Sequence, residues 1–194
     1  MRPDDIALVL LASGLSERFG RDKLMAEFRG RPLLTHAGRC LQGEQVAARL
    51  AVVGTSQTGR QALLRETGWM LVSNLAPETG QDDSLALGIA AAARTSCKAA
   101  IVLLADMPCV PDVHIRALCD LSDEARAVWT SAGEIDLPPV LFPANMFDAL
   151  QGDDLRAAKS EARRTGLRLP LAPEFAQDVD TPEDLAALEA RANV

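Results

Sequence analysis

The segment that decides the fold lies near the start of the chain, where residues 6–23 read IALVLLASGLSERFGRDK. Its opening run is entirely apolar, and a run of this length predicts a buried strand rather than a membrane span. Similar short runs rich in Val, Ile and Leu recur and alternate with amphipathic stretches, an order typical of βαβ units. The sequence therefore predicts an α/β fold with a mostly parallel central sheet.

This alternation sets the order of the predicted elements. Strands are predicted at residues 6–11, 50–53, 70–73, 100–104, 127–130 and 140–142. Helices are predicted at residues 32–42, 57–66, 84–94, 111–121, 144–150, 153–164 and 182–192. Because no linker divides the chain, we expect one domain over residues 1–194.

The composition narrows the classes of partner. The formal net charge is −7, aromatic residues make up 4% of the chain, and tyrosine is absent. A protein that binds a nucleic acid normally carries a basic face and aromatic side chains for base stacking. The apolar stretch near the start is too short for a membrane span and lacks the basic leader of a signal peptide. We therefore expect no nucleic acid and no membrane as partners, and a cytoplasmic location.

The residues after the first strand are the first candidate site, because ligands of an open parallel sheet bind beyond the carboxyl ends of its strands. Small residues at Ala12, Ser13 and Gly14 let backbone N–H groups approach an anion closely. Arg18 and Lys23 add mobile positive charges, a combination that suits a triphosphate. An ordinary turn with solvated charges is the alternative, since Gly and Ser occur in most such turns.

A second candidate is Asp106, which follows the strand predicted at residues 100–104. A carboxylate at the end of a buried apolar strand is costly unless it is paired, hydrogen-bonded or bound to a cation. Mg²⁺ is typically held by one or two carboxylates together with substrate phosphates, which fits this position. The alternative is that Asp106 caps the helix that begins near Pro111.

A third candidate is Asp180, near the end of the chain. The residues after it have a structural explanation, with Thr181 as the N-cap and Pro182 as the first residue of a helix. Glu183 and Asp184 are then favourable charges in the first turn. Asp180 is left over by that account, either as a second ligand of the same ion or as a plain surface residue.

Together these segments resemble one known family. LASGLSERFGRDK, residues 11–23, resembles the LAAGxSxRFGxxK signature of the molybdenum cofactor nucleotidyltransferases, which belong to a wider superfamily of NTP transferases. LADMPCV, residues 104–110, looks like the family's LADMPxV motif, and DVDTPEDL, residues 178–185, resembles its DIDTPEDL motif. The resemblance implies a Rossmann-like three-layer α/β/α fold and transfer of a nucleoside monophosphate from a nucleoside triphosphate.

The resemblance also implies roles for individual residues. Lys23, Arg18 and Asp106 would take part in catalysis, and Asp106 and Asp180 would hold Mg²⁺, the implied cofactor. The nucleotide-binding residues that it implies are Leu11, Ala12, Ser13, Gly14, Lys23, Asn74 and Ser84.

Asn74 and Ser84 rest on a weaker match. Residues 74–88 resemble the NPxxxxGMSSSLRAG stretch of the molybdopterin cytidylyltransferase branch, but Gln-Asp-Asp stands at residues 81–83 in place of Met-Ser-Ser. The two carboxylates, Asp82 and Asp83, either repel a nucleotide or strengthen the start of the following helix.

Two further departures lie downstream. Pro138 replaces the histidine of the family's HPVLF motif, and its GDxGAR pattern survives only as GDD at residues 152–154. A helix there places Arg156, Lys159 and Arg163 along one face. This face either binds an acceptor phosphate or is a solvated stripe.

The reaction that the resemblance implies is an in-line attack by the terminal phosphate of molybdopterin on the α-phosphate of CTP, with release of pyrophosphate. CTP is favoured because Ser13 stands where the guanylyl branch has the first glycine of the GG in LAGG. No general base is required, because an acceptor phosphate is already anionic, and His36 and His114 both fall in helix patterns, where each is either structural or exposed. A molybdoenzyme or a maturation factor would receive the product.

Two other functions stay open. One is a transferase that acts on a sugar phosphate or a polyol phosphate, and the other is a non-catalytic nucleotide-binding accessory protein in molybdenum cofactor maturation. The changes at residues 81–83 and at Pro138 favour the accessory protein. The presence of Lys23, Asp106 and Asp180 argues against it, because a protein that only binds has less need of a metal-assisted leaving group.

Overall fold

The apolar run at the start of the chain forms a fully buried strand within a seven-stranded sheet. The structure, a computed structural model, describes residues 1–191. Numbered along this range, the strands are β1 (Ile6–Leu11), β2 (Glu27–Phe28), β3 (Arg31–Pro32), β4 (Ala48–Gly54), β5 (Met70–Asn74), β6 (Ala99–Leu104), β7 (Val128–Ala132), β8 (Ile135–Pro143) and β9 (Leu167–Pro170).

The large sheet is mostly parallel, as the sequence predicts. Its strands follow the order β5-β4-β1-β6-β8-β7-β9, and β8 runs antiparallel to both of its neighbours. β1 pairs in parallel with β4 and with β6. The carboxyl ends of these three strands therefore lie at one edge of the sheet. The short strands β2 and β3 form a separate antiparallel pair.

Helices cover both faces of the sheet, because a strand buried on both sides needs an apolar layer against each. The helices are α1 (Leu33–Gly38), α2 (Thr58–Glu66), α3 (Gln81–Ala92), α4 (Asp112–Leu121), α5 (Phe147–Gln151), α6 (Leu155–Thr165) and α7 (Pro182–Arg191). Apolar residues of α1, α2, α4 and α7 pack with Ile6, Leu8 and Leu10 on one face, whereas α3, α5 and α6 pack with Ala7 and Val9 on the other. The fold therefore has three layers. Within residues 1–191, no helix has the length and apolarity needed to cross a membrane.

All the predicted strands are present, although β8 is longer than predicted. β2, β3 and β9 were not predicted, because they are short and lack a continuous apolar run; β9, at the sheet edge, has a burial pattern that alternates between half-buried and exposed. The helices predicted at residues 144–150 and 153–164 correspond to α5 and α6 with shifted ends. Ala192, the last residue of the helix predicted at residues 182–192, lies outside the described residues.

α1 is shorter than predicted, because the helix expected over residues 32–42 ends at Gly38. Leu41 has a φ of 49°, a left-handed conformation that a helix of L-residues does not contain. The guanidinium of Arg49 donates to the carbonyl oxygens of Cys40 and Leu41 at 2.8 and 2.5 Å. These carbonyl groups are therefore satisfied by a side chain, and a longer helix is not needed to satisfy them.

Both histidines have structural partners. Nε2 of His114 lies 2.8 Å from Oγ1 of Thr130, whose hydroxyl donates to the carbonyl oxygen of Pro139 at 2.6 Å. Nε2 of His36 lies 2.8 Å from the carbonyl oxygen of Phe28. Burial lowers the pKa of each histidine below its usual value. Both residues therefore have a structural role.

α3 lies unusually close to the sheet and begins at Gln81, three residues before the predicted start. A Cβ built on Gly88 would stand 2.4 Å from Cγ1 of Val9 and 3.2 Å from Cγ2 of Val52. Only a residue without a side chain fits between the helix and β1. This approach fixes the N-terminal end of α3 beside the carboxyl edge of the sheet.

We expect Gly88→Ala to lower the free energy of unfolding by about 1–3 kcal/mol, because the added methyl overpacks this contact. Thermal and urea unfolding measure the change. Gly152→Ala is the control, since a Cβ there meets its nearest atoms at 3.6 and 3.7 Å. Equal stabilities of the two variants would contradict the close approach of α3.

Candidate functional site

A cleft of about 470 Å³ opens at the carboxyl ends of β1 and β6. Its walls come from the loop after β1, the turn before α3, the end of β6 and the segment before α7. The residues that line it are Leu11, Ala12, Ser13, Gly14, Leu15, Ser16, Glu17, Arg18, Lys23, Leu24, Pro77, Glu78, Gly80, Gln81, Ser84, Leu104, Ala105, Asp106, Asp178 and Asp180.

Lys23 and two carboxylates form an ion-pair cluster at the base of this cleft. Nζ of Lys23 donates to Oδ2 of Asp106 at 2.8 Å and to Oδ1 of Asp180 at 2.9 Å. Arg18 reaches the other oxygen of Asp180 at 2.6 Å, with its own side chain 73% exposed. Burial alone would lower the pKa of Lys23, but the two carboxylates outweigh it and raise that pKa. The structure thus brings together the four charged residues that the sequence singled out.

A backbone hydrogen bond holds Asp106 and Asp180 close together. Asp106 lies two residues after the end of β6, and its carbonyl oxygen accepts the N–H of Val179 at 2.9 Å. That bond docks the segment before α7 against the carboxyl edge of the sheet. The two aspartates, 74 residues apart in sequence (180 minus 106), therefore face the same ammonium group.

A capping box at the start of α7 leaves Asp180 available to the cleft. Asp184 accepts the N–H groups of Asp180 and Thr181 at 3.0 and 2.8 Å, and its own N–H donates to Oγ1 of Thr181 at 3.2 Å. The hydroxyl of Thr181 and these N–H groups lower the pKa of Asp184. Thr181 thus caps the helix as predicted, and the carboxylate of Asp180 is free to meet Lys23 and Arg18.

One further observation shows that the carboxylate of Asp106 is suited to a divalent cation. Oδ1 of Asp106 is buried and has no hydrogen-bond partner among residues 1–191. An unpartnered buried carboxylate oxygen is costly, and a hard cation would satisfy it. The carboxylates of Asp106 and Asp180 already converge on one positive charge, the ammonium of Lys23.

Asp178 lines the same cleft and was missed at the level of sequence. Burial raises its pKa, and the negative charges of Asp180 and Asp106 raise it further. Its position two residues before Asp180 was the available signal, since alternate residues of an extended segment point to the same side. The cleft therefore holds one more acidic residue than the sequence predicts.

A buried hydroxyl-amide network lies behind the loop. Oγ of Ser13 and Oγ of Ser84 are 2.7 Å apart, and Nδ2 of Asn74 donates to Ser84 at 3.1 Å. Ser13 and Ser84 line the cleft, whereas Asn74 does not and is only 2% exposed. Asn74 therefore lies behind the two serines and contacts them. It does not line the cleft, as a nucleotide-binding residue is expected to do.

The acidic turn at residues 81–83 does not place the carboxylate of Asp82 in the cleft. Asp82 is paired with α6, 2.5 Å from Nζ of Lys159 and 3.6 Å from Nε of Arg156. Nε of Arg163 lies 3.8 Å from Asp136. Each basic residue of the stripe on α6 thus has an acidic partner within the protein, and Asp82 and Asp83 lie in the first turn of α3, where their charges favour the start of the helix.

Two residues of α2 and the turn before it hold the loop and were not recognised in the sequence. Arg60, only 2% exposed, donates to the carbonyl oxygens of Ala12 and Gly14, and Gln57 donates to that of Ser13. Their spacing of three residues on a helix start, which places both on one face, was the signal that could have found them.

Comparison with solved structures identifies the fold. A nucleotidyl transferase from Methanothermobacter superimposes with a TM-score of 0.79 at 16% identity, covering 96% of each chain. The manganese complex of Rv0371C from Mycobacterium tuberculosis gives a TM-score of 0.74 at 19% identity, covering 96% of this chain and 98% of the other. The fold is therefore that of the α/β nucleotidyltransferases.

The family follows from the sequence. The model of the MobA-like NTP transferase domain matches residues 8–169, and the chain belongs to that family of nucleotidyltransferases. The purine catabolism protein PucB of Bacillus subtilis is 28% identical over 95% of this chain and 96% of its own length. A probable molybdenum cofactor guanylyltransferase of Pyrococcus horikoshii is 33% identical over 41% of this chain and 42% of its own length.

Because the ammonium of Lys23 lies between the two carboxylates, it should compete with a divalent cation for them. We expect Lys23→Met to bind Mn²⁺ about tenfold more tightly than the wild type in the absence of nucleotide, since the charged hydrogen bonds of the competitor are gone. Electron paramagnetic resonance titration of free Mn²⁺ measures this. Lys98→Met removes a lysine paired with Asp5 outside the cleft and is the control. Weaker or unchanged Mn²⁺ binding by Lys23→Met would contradict the competition.

Proposed function

We propose that the protein transfers the nucleoside monophosphate of CTP to the terminal phosphate of molybdopterin, with Mg²⁺ as cofactor and pyrophosphate as the second product. The observation that carries this proposal is the cluster of Lys23, Asp106 and Asp180 at the end of the loop that lines the cleft. It places a positive charge and two carboxylates at one point. A triphosphate that brings its own Mg²⁺ can satisfy both.

The reaction balances without a proton-transfer residue. An oxygen of the acceptor phosphate forms a bond to the α-phosphorus, the bond from that phosphorus to the bridging α–β oxygen breaks, and its electron pair leaves with pyrophosphate. The acceptor phosphate is already anionic near neutral pH, so no base is needed to activate it. The remaining barrier is the repulsion between anions and their alignment, which charge and positioning reduce.

The loop N–H groups, the two basic residues and the two aspartates have separate roles in the proposed reaction. The N–H groups of the loop bind triphosphate oxygens, and Lys23 moves from the carboxylates to the charge that develops on the leaving pyrophosphate. Arg18, largely exposed at the rim, adds a second cation there. Asp106 and Asp180 would hold Mg²⁺, which when bound neutralises triphosphate charge and orients the phosphates for in-line attack. The manganese complex of a structural relative supports a divalent cation in this fold.

The choice of CTP rests on the size of the loop residue. Ser13 has a side chain that lines the cleft, whereas the guanylyl branch has glycine at this position. The hydroxyl of Ser13 lies 2.7 Å from that of Ser84. This side chain takes up room that the larger purine base would use.

We expect Mg²⁺-dependent pyrophosphate release with CTP only when molybdopterin is present, in a comparison of CTP, GTP, ATP and UTP with and without that acceptor. Asp106→Ala should abolish release and keep the fold, and Asp153→Ala, an exposed carboxylate outside the cleft, is the matched control. Release with a sugar phosphate or polyol phosphate instead would replace the acceptor. Nucleotide binding without release for every pair would contradict the enzyme and favour the accessory protein.

The same assay tests the choice of base. We expect Ser13→Gly to raise kcat/KM for GTP relative to CTP by about tenfold, because removing a small group from a pocket wall changes discrimination by this order. Thermal unfolding of the variant checks that the loss of the Ser13–Ser84 contact leaves the fold intact. An unchanged GTP-to-CTP ratio would contradict the role of Ser13 in base selection.

A further inference from the structure

The loop after β1 is held from behind by the start of α2. NH1 of Arg60 donates to the carbonyl oxygen of Ala12 at 2.7 Å and to that of Gly14 at 2.8 Å. Between them, Nε2 of Gln57 donates to the carbonyl oxygen of Ser13 at 2.9 Å. Three consecutive carbonyl groups are therefore bound by two side chains on the same side of the loop.

This anchoring determines where the N–H groups of the loop point. In a trans peptide the N–H of each residue points opposite to the carbonyl group of the residue before it. The N–H groups of Ser13, Gly14 and Leu15 must then face away from α2, and these three residues line the cleft. None of the three N–H groups has a hydrogen-bond acceptor within residues 1–191. The result is a row of free donors directed at the ligand.

The same guanidinium also fixes the turn that carries Lys23. Nε and NH2 of Arg60 donate to the carboxylate of Asp22 at 3.0 and 2.7 Å, and NH2 reaches Oγ of Ser16 at 3.2 Å. Asp22 in turn accepts the N–H of Leu24 at 3.1 Å, which closes the turn around Lys23. One side chain thus connects both ends of residues 12–24.

Arg60 is built for this task and for no contact with a ligand. Its side chain is 2% exposed and does not line the cleft. All five N–H donors of its guanidinium have acceptors in the loop and the turn, a set that the single ammonium of lysine cannot reproduce. A guanidinium that is almost completely buried and has every donor hydrogen-bonded indicates that Arg60 fixes the conformation of the loop and of the turn.

We propose that Arg60 is a positioning residue that directs the loop N–H groups and Lys23 toward the triphosphate of the nucleotide; this rests on the proposed function in taking a triphosphate as the ligand. Gln57 completes the arrangement at the middle peptide. Without Arg60 the peptide groups of the loop are free to rotate. The arrangement of N–H groups that binds an anion then becomes only one of several conformations of the loop.

The experiment compares Arg60→Met, Arg60→Lys and Leu64→Ala in two assays, both in the presence of Mg²⁺: KM and kcat for CTP in pyrophosphate release, and calorimetric binding of inorganic tripolyphosphate. Leu64 lies on the same helix, is 1% exposed and packs in the core, so its truncation controls for lost stability. We expect Arg60→Met to raise KM and to weaken tripolyphosphate binding by about 10- to 100-fold, as misplaced binding groups typically do. Arg60→Lys should restore part of both, and Leu64→Ala should lower Tm with KM and binding unchanged.

Two results would overturn the inference. One is an Arg60→Met variant with lower Tm but wild-type KM and tripolyphosphate binding, and the other is a wild type that does not bind tripolyphosphate. If Arg60→Met does not fold, Arg60→Lys and Gln57→Leu carry the test, and wild-type binding by both would count against it. A wild type that binds tripolyphosphate but releases no pyrophosphate would contradict the proposed function alone, and the binding comparison would still decide the role of Arg60.

Discussion

A lysine buried at the base of a cleft is stable as a cation only when it is paired with negative charge. Nζ of Lys23 lies 2.8 Å from a carboxylate oxygen of Asp106 and 2.9 Å from one of Asp180. The three residues come from the loop after β1, the end of β6 and the segment before α7. Their ion pairs therefore close the carboxyl edge of the sheet as well as defining the cleft. Removal of one partner would leave a buried charge uncompensated.

The same cluster explains how a protein with a net charge of −7 can receive a polyanion. Without ligand, the positive charges of Lys23 and Arg18 offset the negative charges of Asp106 and Asp180. A triphosphate accompanied by a divalent cation offers the opposite pairing, with the cation on the carboxylates and the phosphates on Lys23 and the loop N–H groups. Attraction is then local and needs no basic surface.

The sequence predicted the mostly parallel α/β sheet well, because buried strands such as β1 and β6 leave continuous apolar runs. It also predicted Lys23, Asp106 and Asp180 at one site, through the motifs that resemble those of the molybdenum cofactor nucleotidyltransferases and through the position of Asp106 after a buried strand. It did not reveal Arg60, since a buried arginine looks like a surface charge until the carbonyl groups it binds are known. Nor could it place Asp82, whose partners lie on α6, far away in the chain.

The most direct measurement is an anomalous-diffraction crystal structure with Mn²⁺ and a CTP analogue that cannot be cleaved between its α- and β-phosphates. We expect a Mn²⁺ peak beside Asp106, Asp180 and the phosphates, with Nζ of Lys23 moved from the carboxylates to a phosphate oxygen. Phosphate oxygens should lie within hydrogen-bond distance of the N–H groups of the loop after β1. A nucleotide bound elsewhere, or a Lys23 still paired with both aspartates beside a bound triphosphate, would contradict it.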